Sequence, residues 1–94
     1  MSIWKFGTFL AKEGKGPELR LLLSDIARVI RSSPGSRSCR LLEHESDPAR
    51  FAILEEWDDV QAHKASVARN VTEERRARFT ELVGSATSSD YFRD

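Results

Sequence analysis

Segments with strand-like and helix-like patterns alternate along this chain in an order that few folds accommodate. Residues 3–10 are rich in aromatic and β-favouring side chains, and residues 19–30 carry leucine, isoleucine and valine at helical spacing. Strand-like segments follow at residues 37–45 and 51–57, and the turn Ser46-Asp47-Pro48 separates them. So short a link predicts an antiparallel hairpin.

The last third of the chain has weaker signals. Asp58 or Asp59 is expected to cap a helix that carries a histidine on its apolar side. Asn70, with a glutamate three residues later, resembles a capping box for another helix, which Gly84 is expected to end. Residues 86–93 are predicted to form a short final strand, although few apolar side chains anchor it.

This order, β-α-β-β-α-(α)-β, is that of the ferredoxin-like split βαβ fold. We therefore predict one α+β domain over residues 1–94, with a four-stranded antiparallel sheet and helices on one face. The first and third strands have large apolar side chains on both faces, so the face away from the helices also needs a cover. The simplest cover is the sheet of a second copy, which predicts a homodimer built as a dimeric α/β barrel.

Composition excludes several classes of function. The 94 residues include 15 basic and 15 acidic side chains, with a net charge of zero, so neither nucleic acid nor an anionic membrane surface is an expected partner. No apolar run is long enough for a membrane span. The single cysteine, Cys39, cannot form an intrachain disulfide, which favours a cytoplasmic location, and we interpret it as a small buried hydrophobic residue.

Three segments resemble the antibiotic biosynthesis monooxygenase family of the dimeric α/β barrel superfamily. The lysine- and glycine-containing passage at residues 11–19 is similar to the family's entry to its first helix. Cys39-Arg40-Leu41-Leu42 follows Pro34-Gly35 at a similar spacing. The most specific segment is residues 47–59, in which the family's Phe-x-x-x-Glu-x-Trp strand leads into a helix. Together the three segments span most of residues 1–65.

The resemblance implies a homodimer with a cavity between sheet and helices in each subunit. It also implies oxygenation of a small aromatic polyketide or quinol-like substrate with no cofactor, neither flavin nor metal. Many relatives carry a histidine nine residues after the tryptophan, and that position is Ser66 here. The nearest histidine is His63, one helical turn earlier and on about the same face.

Six residues are candidates for the site. His63 is the candidate catalytic base, which would remove a phenolic proton, and its alternative is a semi-buried structural histidine. Trp57 is a candidate stacking surface for an aromatic ligand, and its alternative is a core or interface residue. The other candidates for substrate binding are Glu55, His44, Trp4 and Tyr91. His44 and His63 lack the paired spacing of a metal site.

A second class of function remains open from the sequence. The same domain, without the family's histidine, would serve as a non-catalytic dimer that binds a small hydrophobic ligand or a partner. Isomerase or lyase chemistry on the same scaffold is a third possibility.

Overall fold

The element order of the chain follows the predicted β-α-β-β-α-α-β order and adds one short strand at the end. The computed structural model describes all of residues 1–94. The elements, in chain order, are β1 (Ile3–Ala11), α1 (Gly16–Arg31), β2 (Ser36–Glu43), β3 (Arg50–Trp57), α2 (Val60–Asn70), α3 (Glu73–Leu82), β4 (Val83–Ser88) and β5 (Phe92–Arg93). The predicted ferredoxin-like α+β fold is confirmed. No helix is long and apolar enough to cross a membrane.

The sheet is antiparallel throughout, in the order β2-β3-β1-β4, and β5 pairs with the start of β1. The predicted single strand at 86–93 is therefore two strands, and the first begins earlier than expected. Gly84 lies inside β4 and does not end α3. The helix stops at Leu82 because Val83 already has extended backbone angles, so helix and strand join without a turn.

Capping residues fix where the helices begin. Asp59 accepts a hydrogen bond from the Ala62 backbone at 2.8 Å and starts α2, as the sequence allows. Thr72 performs this role for α3 by accepting from the Arg75 backbone at 3.2 Å, so the prediction of Asn70 as the cap is wrong. The amide of Asn70 is instead directed at two serine hydroxyls.

The core lies between the sheet and α1. Leu19, Leu23 and Ala27 have no exposed surface and form the stripe by which the helix packs onto Phe51 and Ile53. Cys39 belongs to this core, as predicted, and burial raises the pKa of its thiol to about 12. The thiol therefore stays protonated and is unsuited to act as a nucleophile.

Cross-strand pairing decides which side chains face the helices. Lys5 lies opposite Glu55 on the helix side of the sheet, whereas Phe6 lies opposite Leu54 on the other side. We call this second side the outer face, and its apolar side chains are those of Trp4, Phe6, Leu10, Leu42, Leu54 and Phe92. No element of the chain covers it, and Phe92 remains 56% exposed.

Candidate functional site

A cavity of about 560 Å³ lies between the helix side of the sheet and the three helices. β1, β3 and β4 form its floor, α1 forms one wall, and α2 and α3 form the other. Most of its wall is apolar, and the side chains responsible are Phe9, Leu23, Ile26, Val29, Ile30, Ile53, Val67 and Phe79. Such a lining suits a small, largely apolar ligand.

Polar side chains gather at one end of the cavity, where β3 meets α2. Glu55 and Trp57 share a face of β3, and the Trp57 indole Nε1 donates to the Glu55 carboxylate Oε1 at 3.0 Å. His63 Nε2 lies 4.0 Å from the same oxygen, and its Nδ1 lies 2.7 Å from the Tyr91 hydroxyl. With Lys5, these residues form what we call the inner cluster.

Lys5 joins the inner cluster from β1. Its ammonium donates to the backbone oxygen of Ser89 and lies 4.9 Å from the centre of the Tyr91 ring, in a cation–π contact. The same contact fixes the segment that carries Tyr91. Lys5 is not among the candidates from the sequence. The period of two along β1 puts it on one face with Phe9, but only the pairing of β1 with β3 reveals that Glu55 is its neighbour.

Burial favours the neutral forms of both acid–base groups in the cluster. It raises the pKa of Glu55 above the usual carboxyl value, while the Trp57 hydrogen bond and the Lys5 charge oppose that rise. Burial also lowers the pKa of His63, and Lys5 lowers it further. His63 is therefore a neutral imidazole at pH 7, with one ring nitrogen available to accept a proton.

Ser66, at the position of the family's histidine, has a structural role. Its hydroxyl lies 3.1 Å from that of Ser33 and accepts from the Asn70 amide at 3.2 Å. Ser33 in turn donates to the Val29 backbone oxygen at 2.9 Å. This group of side chains ties α2 to the end of α1 beside the cavity, and it contains no base.

Three of the candidate residues do not line the cavity, and one of them, Tyr91, contacts it only through its hydrogen bond with His63. Trp4 lies on the outer face, because it alternates with Lys5 along β1. His44 follows the end of β2, where its Nδ1 accepts backbone hydrogen bonds from Ser46 and Asp47 at 3.1 and 3.0 Å. It is exposed and stabilises the turn. No three His, Cys, Asp or Glu side chains are grouped so as to hold a metal ion.

The family model described as antibiotic biosynthesis monooxygenase matches residues 5–71, well over half of the chain. The chain belongs to the antibiotic biosynthesis monooxygenase family. The matched range contains Lys5, Glu55, Trp57 and His63 of the inner cluster, whereas Tyr91 comes from outside it. A search of the curated proteins found no match.

Solved structures share the fold of this antibiotic biosynthesis monooxygenase family member along nearly its whole length. A candidate antibiotic biosynthesis monooxygenase from Deinococcus radiodurans is 25% identical, with a TM-score of 0.87 over 98% of this chain and 91% of that one. PA3566 from Pseudomonas aeruginosa is 21% identical, with a TM-score of 0.85 over 99% and 93%. SnoaB, a cofactor-independent oxygenase from Streptomyces nogalater, is 15% identical, with a TM-score of 0.84 over 99% and 92%.

Proposed function

We propose that this protein is a cofactor-independent monooxygenase that oxidises a small aromatic polyketide or quinol-like substrate. The observation that carries the proposal is a buried, neutral imidazole at the polar end of an apolar cavity, held by a tyrosine on one nitrogen and facing a carboxylate with the other. Membership of the family and the fold shared with a cofactor-independent oxygenase support the reaction class.

His63 is the proposed base. With Nδ1–H donating to the Tyr91 oxygen, Nε2 carries the lone pair and accepts the substrate's phenolic proton. The imidazolium that forms is stabilised by the Glu55 carboxylate, which lies 4.0 Å from Nε2. The substrate anion is electron-rich enough to reduce O2 itself. In an anthrone-like substrate it supplies all four electrons: the ring CH2 carbon becomes a C=O that holds one oxygen atom, and the two hydrogens lost from that carbon leave with the other oxygen atom as water.

Trp57 lines the polar end of the cavity but is fully buried. Its side chain has 0% exposed surface, and its ring meets the His63 ring edge-on with centroids 5.6 Å apart. A tryptophan covered in this way holds Glu55 and His63 in place, and stacking on the ligand falls to half-buried aromatic residues of the lining such as Phe79. Its role is therefore to position the acid–base pair.

The outer face supports a homodimer. Phe6 and Phe92 stack with ring centroids 6.4 Å apart and remain 45% and 56% exposed, and Leu42, two strands away on the same face, is 42% exposed. Exposed apolar side chains on one sheet face are typical of interfaces, and a twofold axis would pair the face with itself. We propose that two copies join through it, and that the protein works in the cytoplasm, where the one buried thiol needs no partner.

Oxygen consumption tests the enzymatic proposal. Wild-type protein is expected to accelerate oxygen uptake with dithranol or 1,4-naphthohydroquinone, and His63→Gln to slow it by about 10²-fold, since a general base contributes about 10²–10⁴-fold. His44→Gln is the matched control and is expected to keep full activity, because His44 lies outside the cavity. Light scattering and circular dichroism establish that each variant keeps its assembly and fold.

A non-catalytic binding role is the second candidate function. Ser66 in place of the family's histidine favours it, because Ser66 is committed to hydrogen bonds and cannot replace an imidazole. Binding of these quinols without oxygen uptake by the wild type would establish this role and refute the monooxygenase. Equal oxygen uptake by wild type and His63→Gln would remove His63 from the mechanism.

A further inference from the structure

The cavity is positively charged although the chain as a whole is neutral. Its lining contains Lys5, Arg75 and Arg76 and a single carboxylate, that of Glu55, so the formal charge of the wall is three positive against one negative. A cleft with low-dielectric walls focuses such an imbalance onto whatever enters it. The ligand expected here is anionic.

The three arginines of α3 differ in what they contact. Arg78 is held by Glu18 and Glu81 at 3.2 and 3.0 Å. Arg75 donates to the Asn70 backbone oxygen at 2.9 Å and lies 3.7 Å from Asp25.

Arg76 also lines the cavity, but its guanidinium forms no ion pair and no hydrogen bond with any residue of the chain. It is therefore the cation of this group that is free to meet a ligand.

Arg76 and the inner cluster line the cavity from different elements, Arg76 from α3 and the cluster from β1, β3 and α2. His63, Ser66, Val67 and Asn70 line it from successive turns of α2, and the distance along the axis from His63 to Asn70 is roughly 10 Å. The first two of these residues are buried, His63 at 9% and Ser66 at 4% exposed, whereas Val67 and Val71 are 42% and 45% exposed. Arg76 follows Val71 along the chain, on α3, and is exposed as Val71 is.

We infer, resting on the function proposed above, that the ligand is a hydroxylated aromatic carboxylic acid longer than one ring. Its hydroxyl group lies at His63, its rings fill the apolar middle of the cavity, and its carboxylate pairs with Arg76. The planar guanidinium fork matches a carboxylate with two parallel hydrogen bonds, which a lysine would not provide. A neutral phenol of the same size leaves this cation unpaired.

Binding without turnover tests the assignment. Calorimetry under anaerobic conditions would compare 4′-hydroxybiphenyl-4-carboxylate with its methyl ester and with 4-phenylphenol. The acid is expected to bind wild-type protein about tenfold more tightly than the two neutral probes, and this advantage is expected to shrink as salt is added. Arg76→Gln is expected to abolish the advantage and leave the neutral probes within about twofold of wild type.

Arg69→Gln is the matched control, because it removes the same charge from an exposed position of α2 outside the cavity. The inference is overturned if the ester binds wild type as tightly as the acid, or if Arg76→Gln weakens all three probes equally. Since no oxygen is consumed, an Arg76-dependent preference for the acid stands even where the oxygenase assay fails. If the protein consumes oxygen but binds the acid no more tightly than the neutral probes, this inference is refuted and the proposed function stands.

Discussion

Lys5 influences both acid–base groups of the inner cluster. Burial is the larger influence on each pKa, lowering that of His63 and raising that of Glu55, and the Lys5 charge lowers both. A cation beside a base keeps the base unprotonated at lower pH, so Lys5 extends the working range of His63 toward acid. The side chain also holds the Tyr91 segment through Ser89, so its role is both electrostatic and positional.

Replacing Lys5 with methionine is expected to move the acidic limb of the kcat/KM–pH profile to higher pH. Only neutral His63 accepts a proton, so activity falls as pH drops through the pKa of His63, and removing the nearby cation raises that pKa. The other groups that face His63 are Glu55 and Tyr91, which the substitution leaves in place. Lys12→Met, at an exposed position outside the cavity, is expected to leave the limb unmoved.

An acidic limb that stays where it is in Lys5→Met, with the fold intact by circular dichroism, would mean that His63 is not the group that titrates. A limb that moves to lower pH would contradict the sign of the electrostatic argument.

For individual residues of the site, the sequence predicts only which side chains share a face of a strand. The common face of Glu55 and Trp57 follows from the period of two along β3. The meeting of His63 with Tyr91 does not follow, because the two residues are 28 positions apart and the path of the last segment across β1 brings them together. The sequence likewise does not predict which face of the sheet Trp4 lies on, because that follows from how β1 pairs with β3.

The turn from α1 to β2 controls how closely α2 approaches the sheet. Gly35 has a φ of +83°, and a Cβ atom there would lie 2.5 Å from the Ala62 Cβ on α2. Its backbone oxygen also accepts from Asp58 at 2.8 Å, immediately before the helix. Because α2 carries His63, this glycine is part of what positions the base.

Alanine at Gly35 is expected to lower the free energy of unfolding by ~2–4 kcal/mol, from left-handed backbone strain and from the clash with α2. Gly14 is the matched control, because its φ of +75° is similar but nothing lies within 4 Å of its Cβ position. Gly14→Ala is expected to cost only the backbone part, ~1–2 kcal/mol. Urea denaturation measures both, and equal losses would show that the close contact with Ala62 has no energetic weight.

Elements with strong side-chain patterns were predictable, and those without were not. The leucine and isoleucine side chains of α1 recur at helical spacing, because they must share one face of the helix to be buried. By contrast, β4 has the sequence Val-Gly-Ser-Ala-Thr-Ser, and almost all of it is exposed. Backbone pairing with β1 alone makes it a strand, so no apolar alternation reveals where it begins.

The outer face determines how the whole molecule is expected to assemble. Phe6→Glu is expected to convert the dimer to a monomer, because it places a charge within the apolar surface that two copies would bury. Leu21→Glu is the matched control: Leu21 is 69% exposed on α1, away from the sheet. Light scattering at micromolar concentration is expected to show dimers for wild type and Leu21→Glu, and a monomeric wild type would refute the proposed assembly.

At the scale of the molecule, the order of patterns was enough to predict the fold. Two strand-like segments with a short link, each flanked by a helical segment, leave the ferredoxin-like arrangement as the simplest solution. The charge imbalance of the cavity was not predictable, because Lys5 and Arg76 are 71 positions apart in a chain whose total charge is zero. Only the folded structure separates them from the acidic side chains that balance them.

β1 contributes to two surfaces through alternate residues, with Lys5 toward the cavity and Phe6 toward the outer face. Inserting or deleting one residue within it would exchange the two sets, sending aromatic rings into the cavity and the ammonium into the apolar face. Evolution can therefore change this strand by single substitutions, whereas a change in its length would disrupt the cavity and the outer face together. Over evolutionary time, homologues should vary in length at the exposed bend of residues 12–15 and keep the span of β1 constant.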